Sequence, residues 1–363
     1  MRRALEFQVE LLDEAAAPPF MPERYAEGVS RICKQRGAAN LPPPRATPHV
    51  PRVLIIAGSD SGGGAGIQAD IKACEAMGVY SMTAVSALTA QNTLGVQGVH
   101  AAPCEFLSLQ IRSCLDDIGC DVIKTGMISS RMSVDSVMAA AGRPGLYTWV
   151  VDPVMISTSG HTLVDLDTVD AIRSNIFPLA HIITPNLPEA SLLLGRKIGT
   201  KGQMEEACVD LAAMGPKYVL VKGGHSERSG LQDAWDVLYD SVSKTYHRFP
   251  AHMIESRNTH GTGCTLASAI AANLAKGMKT VEAVGVAKQY VWDALKCASR
   301  LSIGCGHGPL HHAFKNADWR IPPNRLLASD CANASDVFCD RKKIDLSVYA
   351  VTDEVRCTNR QCQ

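Results

Sequence analysis

The residues whose types and spacing best suit chemistry are Asn258-Thr259-His260-Gly261-Thr262-Gly263-Cys264-Thr265, which run straight into an apolar helical stretch over 266–275. Backbone N–H groups at a helix start have no intrahelical partners. Flanked by glycines they form an anion hole, to which the positive end of the helix dipole adds, so the spacing predicts a phosphate cradle without a Walker lysine. Cys264 falls in the first turn of that helix, where a thiol pKa is expected to be lowered. It is therefore the candidate base for a hydroxyl proton. The alternative is a small buried residue at a helix start, since free cysteine packs more often than it reacts.

Other phosphate motifs are excluded. No G-x-x-x-x-G-K-[ST] run exists, and Gly62-Gly63-Gly64-Ala65-Gly66 does not satisfy G-x-G-x-x-G, so neither a P-loop nor a dinucleotide fold is supported. That glycine turn lets backbone approach a ligand closely and leads into a helix bearing Asp70; the alternative is a tight turn with no ligand.

The elements that must position these residues alternate along the chain. Short runs rich in Val, Ile or Thr at 53–57, 80–86, 122–125, 149–152, 181–184 and 218–222 read as strands. Helical stretches at 67–77, 105–115, 133–141, 166–176 and 204–214 lie among them. Such alternation predicts an α/β fold with a mostly parallel central sheet flanked by helices on both faces. Ligands then bind beyond the carboxyl ends of the strands. Runs at 235–239 and 245–249 predict an appended β-hairpin, and two closing helices follow at 262–275 and 280–301.

Composition bounds the partners. Lys plus Arg (36) equals Asp plus Glu (36), so the chain lacks the basic field that nucleic acid or an anionic membrane attracts. No apolar run approaches the roughly 18 residues of a membrane helix. A small-molecule partner is the expectation, with no nucleic acid and no membrane. The 13 cysteines show no repeated Cys-x-x-Cys pattern, which argues against a disulfide framework and a zinc ribbon. Cys331, Cys339, Cys357 and Cys362 have irregular spacing and no paired histidines, so no metal is expected there. Residues 1–50 are broken by Pro18-Pro19 and Pro42-Pro43-Pro44 and read as a flexible extension; with Ser30 as their one serine and several glutamates, they do not read as a transit peptide.

From Val53-Leu54-Ile55-Ile56-Ala57-Gly58-Ser59-Asp60 through Gly261-Thr262-Gly263-Cys264 to Gly306-His307-Gly308-Pro309, the chain resembles the hydroxymethylpyrimidine/phosphomethylpyrimidine kinases of thiamine biosynthesis, members of the ribokinase-like superfamily. Between these lie, in family order, Gly66-Ile67-Gln68-Ala69-Asp70, Thr89-Ala90-Gln91-Asn92-Thr93, Lys124-Thr125-Gly126-Met127, Asp152-Pro153-Val154-Met155, Thr184-Pro185-Asn186-Leu187-Pro188-Glu189-Ala190 and Val221-Lys222-Gly223-Gly224-His225. The resemblance implies a ribokinase-like kinase domain over 51–318, forming a homodimer. With ATP and Mg²⁺ it phosphorylates 4-amino-5-hydroxymethyl-2-methylpyrimidine and then its monophosphate. Most ribokinase-like enzymes carry Asp where this chain has Cys264, and the pyrimidine kinases share the cysteine.

The resemblance also distributes roles. Gly261, Thr262, Gly263 and Cys264 are the implied catalytic residues. Gln91 is implied to read the pyrimidine, because a carboxamide offers one donor and one acceptor to a 4-amino group and its neighbouring ring nitrogen; a loop glutamine capping a turn is the alternative. Gly58, Asp70 and Met127 match substrate-pocket positions, with Met127 as ordinary core and Asp70 as a solvated carboxylate the alternatives. Lys222, Lys288, Asn186 and Thr259 are the implied nucleotide residues, although a lone helical lysine such as Lys288 usually faces solvent. Glu189 and Asp152 supply hard oxygen for the metal, as Mg²⁺ prefers; helix capping by Asn186 is compatible with that.

A second resemblance covers Asp345-Leu346-Ser347-Val348-Tyr349-Ala350-Val351-Thr352-Asp353, which looks like the first strand of the thiamine-phosphate synthases fused behind plant kinases. Residues 319–363 are thus expected to form a tail without synthase activity. A chloroplast location follows by resemblance, a cytoplasmic one being the alternative. The competing functions are a pyridoxal or pyridoxine kinase and a catalytically silent vitamin-binding protein; the intact 261–264 segment argues against the latter.

Overall fold

A computed structural model describes residues 49–155, 164–223, 233–252, 254–299 and 301–316, within a compact unit that ends at Asn316. The N-terminal extension to residue 48, Gly224 and His225, the four-cysteine group and the orphan strand at 348–351 lie outside the described residues.

One sheet organises the chain. Its strands are β1 (Arg52–Asp60), β2 (Tyr80–Asn92), β3 (Gly95–Ala101), β4 (Val122–Thr125), β5 (Thr148–Val151), β6 (Ala180–Ile183), β7 (Tyr218–Lys222), β8 (Asp233–Asp240) and β9 (Thr245–His252). Their order across the sheet is β3-β2-β1-β4-β5-β6-β7-β8-β9. From β2 through β7 every pairing is parallel, while β3 at one edge and the β8–β9 hairpin at the other pair antiparallel.

Helices cover both faces, which explains why the central strands are apolar on both sides. Leu54 and Ile56 of β1 pack with α2 (Cys104–Asp117), α3 (Arg131–Ala141), α4 (Leu166–Ala171), α5 (Leu187–Leu194) and α6 (Lys201–Ala212). Val53, Ile55 and Ala57 point the other way, onto α1 (Gly66–Ala76), α7 (Thr262–Ala275) and α8 (Thr280–Ala298). Small residues on α7, among them Ala267, Ala269, Ala271 and Ala272, let that helix lie against the sheet and place its start over the strand ends. Among the described residues no helix is long and apolar enough to cross a membrane.

The observed elements depart from the sequence expectations at a few places. Strand β3 escapes a reading by apolar runs because most of its side chains are exposed. Helix α5 escapes because it is short, 8 residues behind a proline-containing start. The helix expected over 166–176 changes to a wider π turn from Ile172 to Ile176, and the closing helix ends at Ala298 rather than at 301.

Candidate active site

Two glycine-containing loops meet at the carboxyl edge of the sheet. Gly261 caps α7 at φ +82, a left-handed backbone, and a Cβ there would lie 1.9 Å from the Gly64 carbonyl oxygen. Only glycine allows this approach. The Thr262 N–H and hydroxyl both turn to the Thr259 carbonyl, at 3.3 and 3.1 Å. The amides of Gly263 and Cys264 belong to the first turn, where helix geometry provides no carbonyl four residues back.

Buried charge surrounds that helix start. Lys124, fully buried at the centre of β4, donates to both oxygens of Asp70 at 2.8 Å, and Ser268 of α7 adds a bond to Asp70 at 2.7 Å. Burial opposes charge on Lys124, but Asp70, Cys264 and Asp152 together hold the ammonium well above its ordinary pKa. Just past β5, Asp152 accepts from Lys222 and from Thr184, both at 2.9 Å and both on Oδ1. Burial works against ionisation of Asp152, yet Lys222 and Lys124 bring it below the usual carboxylate range. The Lys222 ammonium sits 3.2 Å from where a Cβ on Gly263 would be, and Asp152 Oδ2 3.8 Å from the same point.

Asn186 and Glu189 form the start of α5. The Asn186 side chain accepts from the Glu189 N–H at 2.9 Å, and Glu189 accepts from the Asn186 N–H at 2.8 Å, a reciprocal capping box. Burial pushes the Glu189 carboxyl up to about 7, against the pull of Lys222. Among the described residues no cluster of three or more metal-ligating side chains exists. The pair Asp152 and Glu189 nevertheless fits Mg²⁺, which keeps several waters and takes phosphate oxygens in place of an all-protein cage. The oxygen chemistry suits it, and Asp152 Oδ2 faces the α7 start.

The opposite side carries a network of different character. Asp60, ending β1, accepts from the amides of Gly62, Gly64 and Ala65 at 2.8, 3.0 and 2.8 Å. His260 Nε2 adds a contact to Asp60 Oδ2 at 2.9 Å and lies 3.2 Å from the Gln91 carboxamide. Gln91 also meets the Thr89 hydroxyl at 3.0 Å. Its backbone is pinned by Ser61, which donates to the Gln91 carbonyl and accepts from its N–H, both at 2.8 Å. Nearby, the Met127 methyl touches Gly58, where a Cβ would meet it at 2.5 Å.

Several expectations need correction. Cys264 does not have a lowered pKa: burial, reinforced by the Asp70 and Asp152 charges, pushes the half-buried thiol up to about 12, outweighing Lys124 and the Gly66 N–H bond. Asp70 is not solvated. It is 0% exposed and its oxygens are taken by Lys124 and Ser268, so it stands beneath the helix start rather than on an open wall. Gln91 is a strand residue of β2, not a loop residue. Lys288 does not face solvent; it donates to Asp236 at 2.6 Å, and Asp236 in turn accepts from the Gly223 N–H at 2.9 Å. Thr259 lies beside the α7 start through its carbonyl. Lys124, Asp60 and His260 stand inside the quoted motifs without an assigned role; the signal that marks them is an ionisable residue within or beside an otherwise apolar strand or at a helix start.

Comparison with known proteins agrees on one family. The family model described as phosphomethylpyrimidine kinase matches residues 60–311. The thiamine biosynthetic bifunctional enzyme, chloroplastic, of Arabidopsis thaliana is 48% identical over 306 residues, covering 84% of this chain and 55% of that protein. The chain thus spans about half the length of the bifunctional relatives it matches. The hydroxymethylpyrimidine/phosphomethylpyrimidine kinase of Rhizobium meliloti is 46% identical over 260 residues, covering 71% of this chain and 96% of the relative. Among solved structures, the pyridoxal kinase from Staphylococcus aureus in complex with AMP-PCP and pyridoxal is similar at a TM-score of 0.66 and 31% identity, over 74% of this chain and 95% of that one.

Proposed function

The chain belongs to the phosphomethylpyrimidine kinase family, and from that premise we propose that it transfers the terminal phosphoryl group of ATP to 4-amino-5-hydroxymethyl-2-methylpyrimidine and then to its monophosphate, in thiamine biosynthesis. The observation that carries this reading is the α7 start, with bare amides at Gly263 and Cys264, Lys222 beside Gly263, and Gln91 tied to His260, the residue preceding Gly261.

Phosphoryl transfer asks for in-line placement and neutralised charge more than for covalent chemistry. The Gly263 and Cys264 amides hold the moving group by backbone N–H bonds, with Gly261 and Thr262 shaping the turn that presents them. Lys222 meets its negative charge, and Lys124, with Asp70 behind it, adds field from below. Asn186 and Thr259 border the nucleotide phosphates. Lys288 acts on them through Asp236 and Gly223. Asp152 and Glu189 would hold Mg²⁺, which would supply charge neutralisation to the phosphates. Gln91 reads the pyrimidine edge, with Gly58 and Met127 against the ring. Cys264 is the group placed to take the acceptor proton; burial, Asp70 and Asp152 oppose its thiolate, and the two lysines and the helix start offset part of that.

The kinase domain is proposed to span 51–318, and a truncation to those residues keeps folding and activity. A homodimer is proposed through the β2–β3 edge, where Leu88, Leu94 and Val99 are 53%, 67% and 52% exposed; light scattering of the full chain tests it. The chloroplast is the proposed compartment, by likeness to the plant relative. ADP formation coupled to added hydroxymethylpyrimidine tests the activity. Turnover that persists in excess chelator contradicts the Mg²⁺ assignment. Likeness to the pyridoxal kinase favours pyridoxal as a second acceptor, and faster turnover of pyridoxal than of the pyrimidine would make that the principal one.

A further inference from the structure

The Asp60–His260–Gln91 network has a defined proton arrangement. Asp60 is buried, and although burial opposes its charge, His260 and the amides of Ala65 and Gly62 hold it ionised below the usual range. An ionised carboxylate only accepts, so His260 Nε2, 2.9 Å away, carries the proton. The Gln91 carboxamide nitrogen is placed 3.2 Å from the same Nε2, and because two N–H groups cannot face each other, the amide is assigned turned by 180°, with its oxygen toward His260. The other end agrees. The Thr89 hydroxyl lies 2.9 Å from the Ser59 carbonyl and 3.0 Å from the placed Gln91 oxygen but has one proton for the two; given to Ser59, it leaves the Thr89 oxygen to accept from the NH₂ of the turned amide. His260 is held in place, being 8% exposed with its backbone N–H bonded to the Gly308 carbonyl at 3.0 Å.

Resting on the pyrimidine-kinase reading, we propose that His260 and Thr89 are positioning residues that lock the Gln91 carboxamide in one orientation and thereby make the site select a 4-amino over a 4-oxo pyrimidine. Held this way, Gln91 keeps one N–H and one oxygen lone pair for a ligand. A 4-aminopyrimidine matches both, its amino group donating to the oxygen and its ring N3 accepting from the N–H. A 4-oxo pyrimidine with a proton on N3 presents the reverse pair. To bind it, the amide must flip, which sets its NH₂ against the His260 N–H and its oxygen against the Thr89 oxygen. Polar mismatches of this kind discriminate far more strongly than shape does.

The test is a competition between the 4-amino substrate and its 4-oxo analogue, read as the ratio of kcat/KM in the full chain. The wild type is expected to favour the amino compound by at least about 100-fold. His260→Leu, which removes the donor, and Thr89→Val, which removes the acceptor, each lower that ratio by about tenfold or more, while His260→Gln, which can still donate from a similar position, keeps it within about threefold. If His260→Leu does not fold, Thr89→Val decides by the same ratio. A variant that loses turnover of both pyrimidines by one common factor overturns the proposal, because a structural role acts on both alike. A wild type that phosphorylates neither pyrimidine overturns the kinase reading itself and this inference with it.

Discussion

The two ends of the site are held by opposite means. At the phosphate end, Lys124, Asp70, Asp152, Lys222 and Glu189 are charged or chargeable side chains packed at the sheet edge and paired with one another. At the proposed acceptor end, a lone carboxylate, Asp60, is satisfied by three backbone amides and His260, and the residue proposed to face the ligand is a neutral carboxamide. The contrast fits the proposed tasks. Moving a multiply charged phosphoryl group calls for fixed charge in a dry setting, whereas telling one pyrimidine from another calls for fixed hydrogen-bond direction. The two ends join where Gly261 lies against Gly64.

Breaking the junction gives the largest effect. Gly261→Ala puts a Cβ 1.9 Å from the Gly64 oxygen on a left-handed backbone, so destabilisation above about 4 kcal/mol and loss of both pyrimidine and nucleotide binding are expected in denaturant titration and calorimetry. Next is the charged end alone. Lys124→Met leaves Asp70 buried without its partner and costs about 3–5 kcal/mol, but Lys124→Met with Asp70→Leu recovers much of that stability while transfer stays lost. A double variant with restored turnover would mean that the pair serves only packing.

Smaller effects sharpen the distinction. Asn186→Ala removes the α5 cap and costs about 1 kcal/mol of stability, a loss seen equally with and without nucleotide if the box is structural alone. A larger loss in nucleotide affinity would place Asn186 in the phosphate end. Away from both ends, His181 bonds Thr280 at 2.8 Å and burial lowers its pKa to about 4. The unfolded chain, titrating near 6.5, binds more protons between those values, so this histidine's contribution is present above pH 6.5 and is lost as pH falls toward 4. His181→Gln should flatten that stretch of the stability–pH curve, by up to roughly 3 kcal/mol.

Much of this architecture is legible in residue patterns. The runs at 122–125 and 218–222 coincide with β4 and β7, because strands buried on both faces are rich in apolar and β-branched residues, although β4 also carries the buried Lys124. The helix over 262–275 coincides with α7, its start marked by Gly261. Strand β3 is hidden because its exposed glycine- and polar-rich sequence owes its form to pairing with β2. The site was less legible than the fold. Spacing placed Cys264 at a helix start, but not the neighbouring Asp70 and Asp152 that raise its pKa, since those come from α1 and the end of β5. The partnership of Asp60 with His260, 200 positions apart, is likewise a product of the folded chain.

The claim that transfer takes place at the α7 start is tested most directly by single-turnover phosphorylation of hydroxymethylpyrimidine in Cys264→Ser, with pyrimidine binding measured alongside. Serine keeps the size and the backbone amides, but its hydroxyl gives up a proton far less readily than a thiol. The account predicts retained binding and a chemical step slower by about 10²–10⁴-fold, with partial recovery in Cys264→Asp. A serine variant that transfers at the native rate would contradict it and leave Cys264 a packed residue beside the amides.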